Sequence, residues 1–167
     1  MQSTSYGEKI LEKIVHQKVD RECGDCNLCC KLPNIDNGNF KKDYTWCKHC
    51  EIGVGCKIYP QRPKICKDFK CLWKAGMCDE SLKPNKVGFY IIPENDQSMI
   101  DACFTIYAET HRVDNIPKIM GDMDLVDQDN RVWRYVIRYN ENEDDLALYD
   151  KHRFGNRLIY GKRGDII

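Results

Sequence analysis

Cysteine is concentrated in one part of this chain, and that concentration constrains the fold more than any other feature. Nine of the eleven cysteines lie between Cys23 and Cys71 in a sequence of 167 residues. Four of them form the run C-x2-C-x2-C-C over residues 23–30. These thiols are too close together for a set of ordinary disulfides, whereas their spacing is that of metal ligands. The sequence therefore predicts a metal centre.

The cellular compartment predicted from the sequence is a reducing one. The first eight residues contain no basic patch followed by an apolar stretch, so no secretory signal is predicted. No segment is apolar over the length that crosses a bilayer. We therefore expect a cytoplasmic protein with no membrane association, in which clustered thiols bind metal rather than form a disulfide framework.

Hydrophobic periodicity predicts an α+β fold in three parts that form one compact unit. Residues 1–20 are predicted to form an N-terminal helix, with a capping box at Ser5 and Glu8. Residues 21–78 hold ten of the eleven cysteines and no long periodic stretch, which predicts a knot of loops around the metal. Residues 79–167 are predicted to form a small, mostly antiparallel sheet with one helix, packed on that knot.

The third part supplies all the predicted strands. Strands are expected over residues 86–92, 99–107, 131–139, 146–149 and 157–160, and a helix over residues 116–126. In the second strand, apolar residues at even positions from Ile100 to Ile106 alternate with Asp101, Cys103 and Thr105. That alternation predicts a sheet with one buried face. In the third strand, Tyr135 and Ile137 are predicted to face one way and Val136 the other.

Two overlapping spacings leave the identity of the metal open. The pairs Cys23/Cys26 and Cys47/Cys50 are separated by twenty residues, which is typical of zinc sites. Cys23, Cys26 and Cys29 form C-x2-C-x2-C, which is typical of a [4Fe–4S] cluster. The full set of predicted ligands is Cys23, Cys26, Cys29, Cys30, Cys47, Cys50, Cys56, Cys66 and Cys71.

The adjacent Cys29 and Cys30 bear on the number of centres. In an extended backbone their side chains would point to opposite sides. The two thiols would then serve different sites, or one would serve a site while the other bridges. Nine cysteines also exceed the four ligands of one tetrahedral ion. We therefore expect two metal centres or one polynuclear cluster.

The charge balance around the cysteines supports a metal rather than nucleic acid. Residues 21–78 contain eleven Lys or Arg and six Asp or Glu, an excess of five positive charges. Two four-thiolate sites holding Zn²⁺ or a [4Fe–4S]²⁺ cluster would each carry roughly −2. The lysines therefore nearly cancel the charge of two such sites, which disfavours a nucleic-acid surface.

Other residues that suggest chemistry have simpler interpretations. His49 could replace a thiolate, but thiolates are already in surplus. Cys78 is an outside candidate ligand, and Cys103 is expected to be a small buried hydrophobe. The acidic residues over 122–129 lack the glycine and glutamate of a calcium-binding EF-hand loop. The sequence contains no P-loop, no dinucleotide fingerprint and no C-x3-C-x2-C motif of radical enzymes.

The run over residues 23–30 and the later motif C-K-I-Y-P-Q-R-P-K-I-C over residues 56–66 resemble a known family. Together they are similar to the CxxCxxCC, or YkgJ-like, family of zinc- or iron-chelating cysteine-cluster proteins. The resemblance covers residues 23–74 and implies a metal cluster. It also implies that Pro63 sets the backbone before Cys66, and that Arg62 binds a carboxylate or donates hydrogen bonds to cluster sulfur.

Three classes of function follow from these observations. The first is a metal-cluster protein with a structural, binding or electron-transfer role, whose partner is another protein. The alternative is a cluster-dependent enzyme such as a protein-modifying enzyme, because a flagellin lysine methylase carries a similar signature. This chain is shorter than that enzyme and has no recognisable methyl-donor site, so no catalytic residue is assigned. A nucleic-acid-binding zinc module is the least favoured class. An iron–sulfur cluster is slightly favoured over zinc.

Overall fold

The structure is a computed structural model, and it describes residues 20–36, 38–93, 102–121, 134–142, 144–149, 155 and 157–166. The helix predicted over residues 1–20, apart from its last residue, and the acidic segment over 122–129 lie outside the described residues. Within the described ranges, no helix combines the length and apolarity needed to span a bilayer.

The cysteine-rich half of the described chain is built from very short elements. Two 3-10 helices cover Leu28–Cys30 and Tyr59–Gln61, and helix α1 covers Lys64–Asp68. Strands β1 (Cys50–Glu51) and β2 (Gly55–Cys56) form a two-stranded antiparallel hairpin. Elements this short bury little surface of their own, so tertiary contacts must stabilise the segment.

A five-stranded mixed sheet forms the other half. Its strands, in spatial as well as chain order, are β3 (Phe89–Pro93), β4 (Ala102–Ala108), β5 (Arg134–Arg138), β6 (Asp145–Tyr149) and β7 (Leu158–Lys162). Strands β4 and β5 are parallel and the other three pairings are antiparallel. The fold is therefore mixed α and β. The sequence predicted a mostly antiparallel sheet and did not specify that one pairing is parallel.

Helical elements flank the sheet strands. Helix α2 (Pro84–Val87) follows a 3-10 helix over Glu80–Leu82 and leads into β3. A 3-10 helix over Thr110–Asn115 and helix α3 (Ile116–Gly121) lie in the connection from β4 to β5. A parallel pair requires such a crossover, because a hairpin can join only antiparallel strands. Helix α4 (Arg163–Ile166) follows β7.

The strand predicted over residues 86–92 begins later than expected. Pro84 starts helix α2, where its missing N–H is not needed, and Gly88 ends the helix with a φ of 81°. A Cβ at Gly88 would lie 2.4 Å from the Cγ of Arg112, so this position requires glycine on both conformational and steric grounds. Residues 86 and 87 therefore belong to the helix and the strand starts at Phe89.

One face of the sheet carries the main core. It packs against the connection from β4 to β5, and Ile106, Ile116 and Ile137 in it are fully buried. Tyr135 and Ile137 belong to this core, whereas Val136 belongs to a smaller cluster with Leu146 and Leu148. The predicted alternation in β5 is therefore confirmed, although both faces of the strand are buried.

The expectation of a single buried face in β4 is wrong. Thr105, between the core residues Phe104 and Ile106, is only 2% exposed. On this second face Tyr90 packs with residues of the cysteine-rich segment, namely Leu28, Leu32, Cys71, Trp73 and Leu82. The sheet therefore lies between two layers, and the cysteine-rich segment is one of them.

An ion pair also joins the two layers, and it provides a test of their contact. Lys31 Nζ lies 2.7 Å from Glu109 Oε1, with side chains 26% and 19% exposed. We expect Glu109→Gln to lower the free energy of unfolding by about 1 kcal/mol, because the partly buried ammonium loses its counter-charge. Glu51→Gln is the control, since its 3.7 Å pair with Lys57 is mostly exposed. Equal losses in the two variants, measured by urea unfolding, would contradict the prediction.

The β6–β7 pair predicts an acid-dependent contribution to stability. Asp145 is paired in register with Lys162 and accepts its ammonium hydrogen bond. That hydrogen bond is the main reason why the pKa of Asp145 lies below its ordinary value of 3.8. A carboxyl with a lowered folded-state pKa stabilises the fold above about pH 4, and this contribution is lost as pH falls through the folded-state pKa. Asp145→Asn should therefore flatten the acid limb of a stability-against-pH curve, and an unchanged acid limb would contradict the prediction.

Candidate metal centre

Six of the predicted ligands come together at the β1–β2 hairpin. Cys50 and Cys56 are paired across its two strands. Cys30 contacts the thiols of Cys29 and Cys50. The thiol of Cys66, from helix α1, is near enough to the thiols of Cys30, Cys47 and Cys56 for their charges to raise its pKa. We call this set the six-thiol group: Cys29, Cys30, Cys47, Cys50, Cys56 and Cys66.

Backbone hydrogen bonds account for this convergence. Cys47 N donates to Cys30 O at 2.8 Å, and Cys50 N donates to Cys47 O at 2.9 Å. The buried Asn27 donates through Nδ2 to Glu51 O at 3.0 Å, which ties the first cysteine run to β1. The C-x2-C turn at residues 47–50 is thereby held against the C-x2-C-x2-C-C run.

The adjacent pair of cysteines does not behave as expected for an extended backbone. Cys29 and Cys30 lie in the 3-10 helix that starts at Leu28, and their thiols are close enough to interact. The extended backbone on which the expectation of opposite sides depended is therefore not present at these residues. Both belong to the same group, because the helical turn places successive side chains about a third of a turn apart.

Four other cysteines form a second set, which we call the four-thiol group: Cys23, Cys26, Cys71 and Cys78. Cys26 N donates to Cys23 O at 2.9 Å, which closes the turn between the first two. The thiol of Cys71 is within electrostatic range of the other three thiols of the group. Cys78, only an outside candidate in the sequence, thus lies with three predicted ligands.

Each group contains thiols at which negative charge is unfavourable. Burial, with smaller contributions from neighbouring thiols, raises the pKa of Cys71 and of Cys50 to about 12. Burial likewise raises the pKa of Cys78 to about 11. Contact with Cys29, followed by burial, raises the pKa of Cys30 well above its usual range. Without a bound cation these thiols are protonated at neutral pH, so a metal ion would have to displace their protons.

The ten cysteines from Cys23 to Cys78 carry free thiols, so no disulfide forms among them. Within the described residues, no group of three or more His, Cys, Asp or Glu side chains is already arranged to hold a metal ion. Coordination would therefore require the thiols within each group to rotate toward one another.

Two cations from the predicted charge balance lie beside the thiols. Lys41 is 4% exposed, and its ammonium donates to the carbonyls of Lys31 and Thr45 at 2.7 and 3.0 Å and to that of its neighbour Lys42. Lys41 also lies within electrostatic range of thiols of the six-thiol group. Lys74 lies near Cys23 of the four-thiol group and pairs with Asp20 at 3.1 Å.

Other lysines are paired with carboxylates rather than thiols. Lys64 pairs with Asp68, and Lys70 lies 3.7 Å from Asp20. Only some of the lysines in the cysteine-rich segment are therefore placed to offset thiolate charge. His49 stacks on Phe40 with the ring centroids 5.8 Å apart.

Arg62 lies near both groups. Burial raises the pKa of the Cys23 and Cys66 thiols, and the Arg62 guanidinium opposes that rise in both. The guanidinium stacks 3.6 Å above the Tyr59 ring, while its Nε is buried with no hydrogen-bond partner among the described residues. Pro63 accepts a 2.9 Å hydrogen bond from Cys66 N and so starts helix α1.

One tyrosine hydroxyl near the cysteines was not singled out from the sequence. The Tyr90 hydroxyl is buried and has no hydrogen-bond partner in the described part of the chain. Tyr90 lies within electrostatic range of Cys29 and Cys71, one from each group. The sequence carries no clear signal for this role, since Tyr90 lies in a strand predicted only to pack.

Comparisons with protein-family models, with curated proteins and with solved structures found no match to this chain.

Proposed function

We propose that this chain is a metal-cluster protein that holds an iron–sulfur cluster or Zn²⁺ through cysteine thiolates. The carrying observation is that ten free cysteines from well-separated parts of the chain gather in two groups. Thiols at this density in a folded segment, with neighbouring cations, are the donor set of zinc and iron–sulfur sites. The resemblance of residues 23–74 to the CxxCxxCC family supports the same proposal.

Two buried donors near the thiols support a metal centre with sulfur ligands. Arg62 Nε and the Tyr90 hydroxyl have no acceptor among the described residues. A buried donor without a partner costs about 1–3 kcal/mol, so such groups normally have one. The sulfide and thiolate sulfurs of a cluster accept hydrogen bonds of this kind, and these bonds tune its reduction potential. A bound cluster would supply acceptors that the protein alone does not.

We propose a binding or electron-transfer role with another protein as the partner. The hairpin at the six-thiol group exposes Ile52 and Val54 at 62% and 64%, and the neighbouring Tyr59 and Ile65 are also exposed. Exposed apolar side chains that lie close together mark surfaces that contact other proteins. A cluster beside such a surface would be near enough to a docked partner to exchange electrons with it.

Anaerobic purification with elemental analysis tests the proposal. We expect iron with a matching amount of acid-labile sulfide, and an absorbance at ~400 nm that dithionite bleaches. A colourless protein with bound zinc would support the proposed metal centre in its structural form. A metal-free preparation that is fully folded, or one with the ten thiols oxidised to stable disulfides, would overturn the proposal.

A further inference from the structure

The two ends of the four-thiol group are joined by hydrogen bonds through Arg21. Its backbone N donates to Lys74 O at 2.9 Å, and Lys74 Nζ donates back to Arg21 O at 3.1 Å. Its guanidinium Nη1 donates to Trp73 O at 3.1 Å and to Cys78 O at 2.8 Å. The residues just before Cys23 are therefore attached to the loop that begins at Cys71 and ends at Cys78.

That loop is folded tightly enough to bring its ends together. Ala75 N donates to Cys71 O at 3.0 Å, and Met77 N donates to Leu72 O at 2.9 Å. Cys71 is a buried member of the cluster that covers the second face of the sheet, and Cys78 packs against the same cluster. The two cysteines therefore share one apolar environment, although six residues separate them in sequence.

The turn between Cys23 and Cys26 is attached on its other side as well. Asp25 accepts a hydrogen bond from Asn85 Nδ2 at 2.9 Å and another from the ammonium of Lys83. Burial raises the pKa of the Cys26 thiol, and the backbone amides of Leu28 and Asn85 partly oppose that rise. The turn that carries Cys26 is therefore attached to the segment that begins helix α2.

We infer that Cys23, Cys26, Cys71 and Cys78 form a closed four-thiolate site, separate from the six-thiol group, with Cys78 as the fourth ligand. The inference rests on the proposed function. It adds that the cysteines form two separate sites and that Cys78 is a ligand in one of them. Four protein thiolates suit one tetrahedral Zn²⁺ or Fe ion, or one [4Fe–4S] cluster. Such a site has no open coordination position, which fits structural stabilisation or electron transfer rather than catalysis.

The thiol chemistry of the full chain as purified provides the first test. Metal-loaded protein is alkylated with iodoacetamide before and after treatment with a chelator, and each cysteine is quantified by peptide mass mapping. We expect Cys78 to be protected by the metal together with the other three cysteines of the four-thiol group. Cys103, in strand β4, serves as the control and should react equally in both samples. Equal alkylation of Cys78 in the two samples would overturn the inference. Metal protection of Cys23, Cys26 and Cys71 together with Cys29 instead of Cys78 would overturn it as well.

Native mass spectrometry of variants provides the second test. Cys78→Ala should lose one of two metal centres and Cys66→Ala the other, whereas Cys78→His should retain both, because imidazole can replace a thiolate ligand. Retention of both centres by Cys78→Ala would overturn the inference and leave the proposed function intact. Wild-type protein without any metal would instead overturn the proposed function. If Cys78→Ala does not fold, Cys78→His decides, and loss of one metal centre from a folded Cys78→His variant would overturn the inference.

Discussion

Removal of the bound metal is expected to unfold residues 20–83 while the core of the five-stranded sheet stays protected. The helices and strands in this segment are two to five residues long, so they cannot hold it by themselves. Metal binding contributes about 10–16 kcal/mol in small structural zinc domains, which is as large as the stability of a whole domain. The main core around Ile106 and Ile137 lies mostly in the sheet and its crossover connection, so it is less dependent on the metal.

Hydrogen exchange measured by mass spectrometry tests this prediction. After treatment with a strong chelator under anaerobic conditions, the amides of residues 20–83 should exchange near the rate of an unstructured chain. Amides of β5 and β6 should exchange more slowly and serve as the internal control. Restoring the metal, with sulfide if the centre is an iron–sulfur cluster, should restore protection. Unchanged exchange in residues 20–83 after complete metal removal would contradict the prediction.

Both thiol groups should lose metal as pH falls. Burial holds the thiols protonated at neutral pH, with pKa values of about 12 for Cys50 and Cys71. Each metal ion must therefore displace protons when it binds, and binding becomes weaker at lower pH because the protons compete.

Replacement of Lys41 by methionine is expected to be the most damaging single lysine substitution in the cysteine-rich segment. The buried ammonium satisfies three backbone carbonyls, and its charge lies beside the six-thiol group. Methionine fills similar space but donates no hydrogen bond, so the carbonyls would lose their partner. We expect the free energy of unfolding to fall by about 3 kcal/mol, measured by urea unfolding of the metal-loaded protein.

Two further variants separate the hydrogen bonds from other effects of this substitution. Lys42→Met is the matched control, because Lys42 is adjacent and exposed, and it should change stability by less than about 0.5 kcal/mol. Lys41→Gln keeps N–H donors without the charge and should show an intermediate loss. A Lys41→Met variant as stable as Lys42→Met would show that the buried ammonium contributes little.

The elements of the sheet were predictable where local signals were strong. The spacing of apolar residues in β5 predicted that Tyr135 and Ile137 share a face, and they do. The start of β3 was misplaced, because Pro84 and Gly88 form a short helix that the apolar pattern of residues 86–92 does not reveal. The parallel pairing of β4 with β5 was also not predicted, since strand direction depends on the path of the connection rather than on the strands themselves.

The second buried face of β4 could not be read from the strand. Thr105 is a polar residue at a position where alternation predicts solvent. It is buried because the cysteine-rich segment, which precedes the strand by more than twenty residues, lies over that face through Leu28, Leu32 and Trp73. The alternation of apolar and polar residues shows which side chains share a face of a strand. It does not show which other parts of the chain pack on that face.

The sequence by itself determined that this chain carries a dense set of thiols with an excess of positive charge, because ligand spacing and charge are properties of the residues alone. Only the tertiary structure decided how those thiols are divided. Cys29 and Cys30 belong to one group because a 3-10 turn replaces the extended backbone, and Cys78 lies in one group with Cys23 because Arg21 joins two distant segments. The second of these depends on hydrogen bonds between residues more than fifty positions apart, and no local spacing encodes them.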